Sequence, residues 1–255
     1  MKISIGRDLR GGPRAAAAGV VLAVLALALV PAGAVAVNGE SVPGEEDLHW
    51  PGRSSHFAFV DVPITARVRP ARGEAAVARV GTRTQDATDE VLLILARVTD
   101  VEGRQWLKVR LPVRPNGSIG WIPRTAVGEI RRVNSWLRIN TRTRRLKLVR
   151  DGKVILRARI GVGRRKWPTP RGEFYVRSRL SGKRLGAIYG PLAFGTSATS
   201  DVLTDWPGGG VVGIHGTNQP GLIPGRISHG CIRLRNRDIV RLGRRLQIGT
   251  PISIT

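Results

Sequence analysis

The chain has 255 residues, 42% of them hydrophobic, enough for one large domain or two small ones with a tail. A single cysteine excludes a fold stapled by internal disulfides. Lys and Arg total 42 against 18 Asp and Glu, a formal charge of +24; the chain has no basic stripe interleaved with aromatics, no zinc-finger spacing and no recognition-helix pattern, so nucleic acid is not expected as a partner. The charge still suits other polyanions, such as anionic lipid or an anionic wall. Arginine spread evenly among many Ala, Gly, Val and Pro residues also follows from a GC-rich coding sequence.

The N-terminus reads "MKISIGRDLRGGPR", then the uncharged apolar run Ala15 to Val30, then small residues at Ala34 and Ala36. Basic segment, apolar segment and small-residue site, in that order, form a secretory signal. A run of this length can equally stay in the bilayer as an anchor. Either way the body is exported, to the cell wall or periplasm, because the basic residues precede the apolar run. Residues 1–36 are thus expected as signal peptide or membrane anchor. Residues 37–56, polar and rich in Gly, Pro and Glu, are expected as a linker.

Residues 57–128 read as short strands. "VLLILARV" is β-rich, "WLKVRLPV" alternates, and Asn116-Gly117 offers a hairpin turn before a strand carrying Trp121. The strand spacing and the closing "GWIP" resemble bacterial SH3-like wall-associated modules. That resemblance implies a small β-barrel for wall binding or substrate positioning, with a plain spacer as the alternative.

A second β-rich region begins near Val133. Asp151-Gly152 between "RLKLVR" and "KVILRARIGV" predicts another hairpin. The basic strand faces here are expected to be solvated. "GGGVVGIHG" is a short strand stopping at His215, Asn236 is expected to cap a short helix, and "PISIT" is a last strand.

The stretch "HGTNQPGLIPGRISHGCIRL" holds the lone cysteine, Cys231, and two of the four histidines. In an oxidising compartment a single thiol is either incidental or has a task. A thiol attacks as thiolate, and a histidine beside it can lower its pKa and take its proton. His229, two residues away, shares a face with Cys231 on an extended segment, and His215 can enter from a neighbouring strand. Gly230 permits a sharp bend that turns backbone N–H groups toward a reacting carbonyl. The spacing His-x13-His-x-Cys matches no common closed zinc site, and acidic fourth ligands are scarce nearby.

The segment "IHGTN…SHGCIRLRN", preceded by "TPRGEF", closely resembles the catalytic domain of the bacterial L,D-transpeptidases. The likeness spans roughly residues 130–255. It implies a β-sandwich with few short helices, within a chain that is mostly β overall. It implies Cys231 as nucleophile, His215 as its base, and the Gly216 carbonyl as the group that orients His215. His229 and Gly230 would line the oxyanion region, with the N–H groups of Gly230 and Cys231 as donors. Ser228 would be structural support within the substrate-binding set, Arg233 would bind a substrate carboxylate, and Tyr189 or Trp206 would cover the site. The implied reaction is acyl transfer on peptidoglycan stem peptides with release of D-alanine, needing no cofactor or metal and open to acylation by carbapenems. A carboxypeptidase of the same fold and a non-catalytic wall-binding protein are the alternatives.

Overall fold

The computed structural model describes residues 41–203 and 210–255. The expected signal or anchor, residues 1–36, lies outside them, as does Trp206. The described body is two sheets, each with its own apolar core.

The first sheet comprises β1 (Glu46–Asp47), β2 (Ser55–Phe59), β3 (Ile64–Arg67), β4 (Ala76–Val80), β5 (Val91–Thr99), β6 (Gln105–Arg110), β7 (Ile119–Pro123) and β8 (Arg131–Val133). Its order is β4-β3-β7-β6-β5-β2-β8, with β1 also on β5. Leu92, Ile94, Leu107, Val109 and Ile122 point to one side and form its core. Each such side chain, fully buried, contributes roughly 1.5–3 kcal/mol.

The structure corrects three expectations here. Residues 46–56 are not a linker: Glu46 and Asp47 pair with Arg97 and Ala96, and Ser55 and His56 pair with Val133 and Arg132. Leu48 is buried in the core, and Glu45 forms a buried ion pair with Lys108. Residues 131–133 belong to this sheet too, so the boundary between the sheets falls near Asn134, not at 130. Finally, Asn116-Gly117 is not a two-residue hairpin but part of a longer loop between β6 and β7. Gly117 takes the positive φ of 90°, while the Asn116 side chain reaches away to β14, described next.

The second sheet comprises β9 (Ser135–Asn140), β10 (Arg145–Arg150), β11 (Lys153–Arg159), β12 (Gly161–Gly163), β13 (Gly172–Ser181), β14 (Leu192–Thr199), β15 (Val211–His215), β16 (Gly225–Ser228), β17 (Ile232–Arg233) and β18 (Pro251–Ile254). Two short helices, α1 (Gly182–Leu185) and α2 (Asn236–Gly243), accompany it. The order is β11-β10-β9-β18-β13-β14-β15-β17-β12-β16. Leu137, Leu146, Phe174, Phe194, Ile214 and Ile252 meet Ile239 and Leu242 of α2 in one core. The Asp151-Gly152 hairpin forms as expected, both residues at positive φ between the paired Arg150 and Lys153. Asn236 does not cap α2. Arg235 stands at the N-cap, and the Asn236 Oδ1 instead accepts the Thr217 N–H at 2.8 Å.

The sheets are fastened to each other. Phe57, Val91, Leu93 and Val133 pack with Tyr175 of β13 in a shared apolar cluster. The buried Tyr175 hydroxyl donates to the Val91 carbonyl at 3.0 Å. Arg177 forms a two-point ion pair with Glu90, side chains 11% and 2% exposed. Asn116 exchanges bonds with the Thr199 backbone, donating to its carbonyl at 2.7 Å and accepting its N–H at 2.9 Å.

Candidate active site

β15 and β17 run parallel side by side, with Ile214 opposite Ile232 and His215 opposite Arg233. The pairing brings the end of the "GIHG" stretch against the "SHGCIRL" stretch. Cys231, just before β17, receives the Gly213 N–H on its Sγ at 3.4 Å. A methyl built on Gly213 would lie 3.8 Å from His215 Cδ2 and 3.9 Å from Cys231 Sγ. Imidazole and thiol therefore flank the same point of β15. No hydrogen bond joins them in this conformation among the described contacts.

His215 is 3% exposed, and its Nδ1 lies 2.6 Å from the Gly216 carbonyl. A carbonyl only accepts, so Nδ1 carries the proton and Nε2 is left free as a base. Burial lowers the pKa of His215 to about 4; the Gly216 bond opposes that shift and the Arg233 charge adds to it. The imidazole is neutral at physiological pH. Gly216 must be glycine, since a Cβ there would come within 2.5 Å of Asn236 Oδ1. Asn236 thus holds the loop after His215 by its bond to Thr217.

The thiol departs from the sequence expectation. Burial pushes its pKa up, and the Gly213 N–H and Arg233 offset this only in part. The resting pair is a neutral thiol beside a neutral imidazole, because burial disfavours both charged forms.

A brace holds the turn before Cys231. Gly230 has φ +120°, a conformation open to glycine and strained for other residues. Ser228 is fully buried; its Oγ donates to the Cys231 carbonyl at 2.5 Å and accepts the Gly230 N–H at 3.2 Å. The Gly230 N–H is already engaged, which corrects its expected role as a free oxyanion donor. Ser228 is the expected structural support, and it spends its hydrogen bonds on the turn rather than on substrate. Thr169 Oγ1 completes the brace, donating to the Gly230 carbonyl at 2.7 Å and accepting the Gly163 N–H at 2.9 Å.

Two cavities open on the thiol. One, about 290 Å³, is lined by Tyr189, His215, His229, Cys231 and Arg233. The other, about 140 Å³, shares Tyr189, His215 and Cys231 and is closed by Gln85 and Asp86 of the first sheet's loops. The Tyr189 ring packs edge-on against His215, centroids 4.8 Å apart. His229 packs against Trp167 at 4.2 Å. Arg233 holds its Nε buried without an acceptor. Sequence reasoning missed Thr169, Trp167, Asn236 in this role, and Asp86. Thr169 opens the "TPRGEF" stretch and Trp167 stands two residues before it, a usable signal, whereas nothing in the sequence links Asp86 to Cys231. Among the described residues, no three His, Cys, Asp or Glu side chains cluster as a metal-ligand set.

Residues 134–254 match the L,D-transpeptidase catalytic domain family, YkuD. YkuD of Bacillus licheniformis, itself a candidate L,D-transpeptidase, is 34% identical over 117 residues, 46% of this chain and 62% of that protein. YqjB of Bacillus subtilis, a candidate of the same kind, is 31% identical over 127 residues, 46% of this chain and 69% of that protein. The chain also aligns with the catalytic domain of the E. faecium L,D-transpeptidase at 25% identity and a TM-score of 0.36, covering 48% of this chain and 96% of that one. It spans 62% and 58% of the length of the B. licheniformis and B. subtilis YkuD proteins. With the family matched over the region that carries the thiol and its histidine, and with YqjB covered over most of its length, this chain belongs to the L,D-transpeptidase catalytic domain family.

Proposed function

We propose that the chain is a cysteine-dependent L,D-transpeptidase acting on peptidoglycan stem peptides. The observation that carries this reading is the neutral His215, fixed by the Gly216 carbonyl with Nε2 free, beside the lone thiol above Gly213. Cys231 Sγ attacks the carbonyl of the third-position diamino acid while His215 Nε2 takes its proton. The tetrahedral intermediate collapses, the C–N bond to D-alanine breaks, and the imidazolium protonates the leaving amine. A thioester remains. An amine from a second stem attacks it, its proton passes to His215, and the thiolate leaves and is reprotonated. Because the resting thiol is neutral, proton transfer accompanies attack instead of preceding it.

Arg233 lines the larger cavity with no carboxylate partner among the described residues, which suits the terminal carboxylate of a tetrapeptide. Asp86 is the acidic residue of the smaller cavity and has no ion-pair partner among the described residues, which suits an incoming ammonium. That carboxylate favours cross-linking over hydrolysis. The same chemistry predicts acylation by carbapenems, and the N-terminal segment supports action outside the cytoplasmic membrane. The module is read as SH3-like and as positioning the enzyme on the wall.

The test is mass spectrometry after incubation with defined tetrapeptide and pentapeptide stems. Tetrapeptides are expected to release D-alanine and give dimers linked between third-position residues, with pentapeptides poor donors. Cys231→Ala is expected to abolish the acyl-enzyme while keeping the circular dichroism spectrum. Monomeric trimmed stems alone, with an amine acceptor in excess, would replace this reading by the carboxypeptidase one.

A further inference from the structure

A wide cavity lies away from the thiol. It is a groove of about 1200 Å³ over the outer face of the second sheet, walled by His49, Pro51 and Gly52. On that face Arg157 of β11 stands opposite Lys147 of β10, and Lys147 stands opposite Arg138 of β9. The row continues through Ser253 on β18 to Glu173 on β13. Three cations are thus direct cross-strand neighbours, with Cβ atoms roughly 4.5–5.5 Å apart, an arrangement that destabilises a sheet. Arg145, opposite Arg159, extends the cationic face by a second row. Arg110 adds a cation from the groove wall, its Nε buried without an acceptor.

Among the described residues, Arg110 feels the Glu173 carboxylate, but no ion pair neutralises the cations on the strands. Arg138, Arg145, Lys147 and Arg157 have no carboxylate partner among the described residues. The one acid of the groove, Glu173, sits at the far end of the row and accepts from Ser253 Oγ at 2.9 Å. A solvated basic face does not require a concave floor, a wall brought from the other sheet, or like charges in register. All three occur together here.

We propose that this groove binds an extended polyol-phosphate polymer, a chain of phosphodiesters without bases. A grid of cations spread over three strands exceeds what one small anion needs and matches a polymer bearing one charge per short repeat. The concave shape excludes the flat surface of a bilayer. The groove lacks a run of aromatic faces on which successive bases could stack: among its described lining residues only His49 and Trp136 carry aromatic rings, and Trp136 is 4% exposed. Such binding would tether the enzyme by a face remote from Cys231 and leave the active site open. The proposal does not depend on the reaction assigned to Cys231.

The test is binding of fluorescently labelled poly(glycerol phosphate) to the full chain across a salt series. The comparison is between the triple variant Arg138→Gln/Lys147→Gln/Arg157→Gln and a control triple, Arg72→Gln/Arg171→Gln/Arg226→Gln, which removes as much charge from exposed positions elsewhere. The groove variant is expected to lose on the order of tenfold in affinity or more and to flatten the salt slope by about 2, the control staying within about twofold of the parent. The groove variant should melt at or above the parent temperature, because cross-strand repulsion is relieved; a lower melting point would mark these residues as structural and overturn the proposal. Equal losses in both triples would reduce the binding to net charge and overturn it. Tighter binding of a single-stranded oligonucleotide of equal phosphate count, or of anionic vesicles, would overturn the ligand assignment.

Discussion

Two histidines flank the thiol, and their surroundings separate them. His215 is buried, locked as one tautomer by Gly216 and set beside Cys231 over Gly213, whereas His229 lies against Trp167 in the outer cavity. His215→Ala is therefore expected to slow iodoacetamide alkylation of Cys231 far more than His229→Ala. In the parent protein the alkylation rate should keep rising above the usual thiol range, since burial holds the thiol protonated. A plateau already at neutral pH would mean a preformed thiolate, and a larger loss in the His229 variant would exchange the two roles. A second expectation concerns Arg233: Arg233→Lys keeps the charge but loses the planar fork, so turnover of tetrapeptide stems should fall. Equal rates for tetrapeptide and pentapeptide stems in the parent would show that Arg233 does not read chain length.

At the level of elements, the site depends on a turn that β17 alone cannot hold. The positive φ of Gly230 aims Cys231, and Ser228 and Thr169 close the turn from two sides. Thr169→Val keeps the shape but strips the hydroxyl, leaving the Gly230 carbonyl and the Gly163 N–H without their partner. The expected loss is about 1–3 kcal/mol in urea unfolding. The acylation rate should fall by about tenfold or more, since small misplacements of reacting atoms are costly. Lost stability with an unchanged rate would show that Ser228 alone keeps the thiol aimed.

The two sheets act as one body, and this reverses a natural expectation from the sequence. A chain read as linker, module and catalytic domain in that order should survive removal of the module. Here truncation before Gly128 would strip Val91 from the Tyr175 hydroxyl, Glu90 from Arg177, and Asp86 from the cavity beside Cys231. It would also uncover the apolar surface of Tyr175 that Phe57, Val91 and Leu93 cover. The truncated chain is expected to be unfolded or unacylated, checked by circular dichroism and intact mass after carbapenem exposure; a folded, fully acylated fragment would refute the coupling. Acid is a second global probe. The pKa values of His215 and His49 fall from 6.5 to about 4 on folding, chiefly through burial. The folded state then binds fewer protons than the unfolded state between those values, so stability is complete above pH 6.5 and declines as the pH drops toward 4. His215 alone accounts for about 3 kcal/mol of that loss. Urea midpoints at pH 7 and pH 4.5 should differ less in His215→Gln, and an unchanged difference would mean that His215 is protonated in the fold.

The candidate site was legible in the residue order because it depends on local identity. A lone thiol, histidines at fixed offsets and glycines around them point to a turn and a candidate nucleophile before any fold is known, and strand alternation specifies which face of β10 is buried. The Asp151-Gly152 hairpin was legible for the same reason, since only two adjacent residues decide it. Asn116 and Asn236 misled because their side chains were free to leave the local backbone for partners 83 and 19 residues away. The raised thiol pKa, the engaged Gly230 N–H and the place of Asp86 beside Cys231 required the tertiary structure. Burial, and contacts between strands distant in the chain, are properties of packing, and no local pattern carries them.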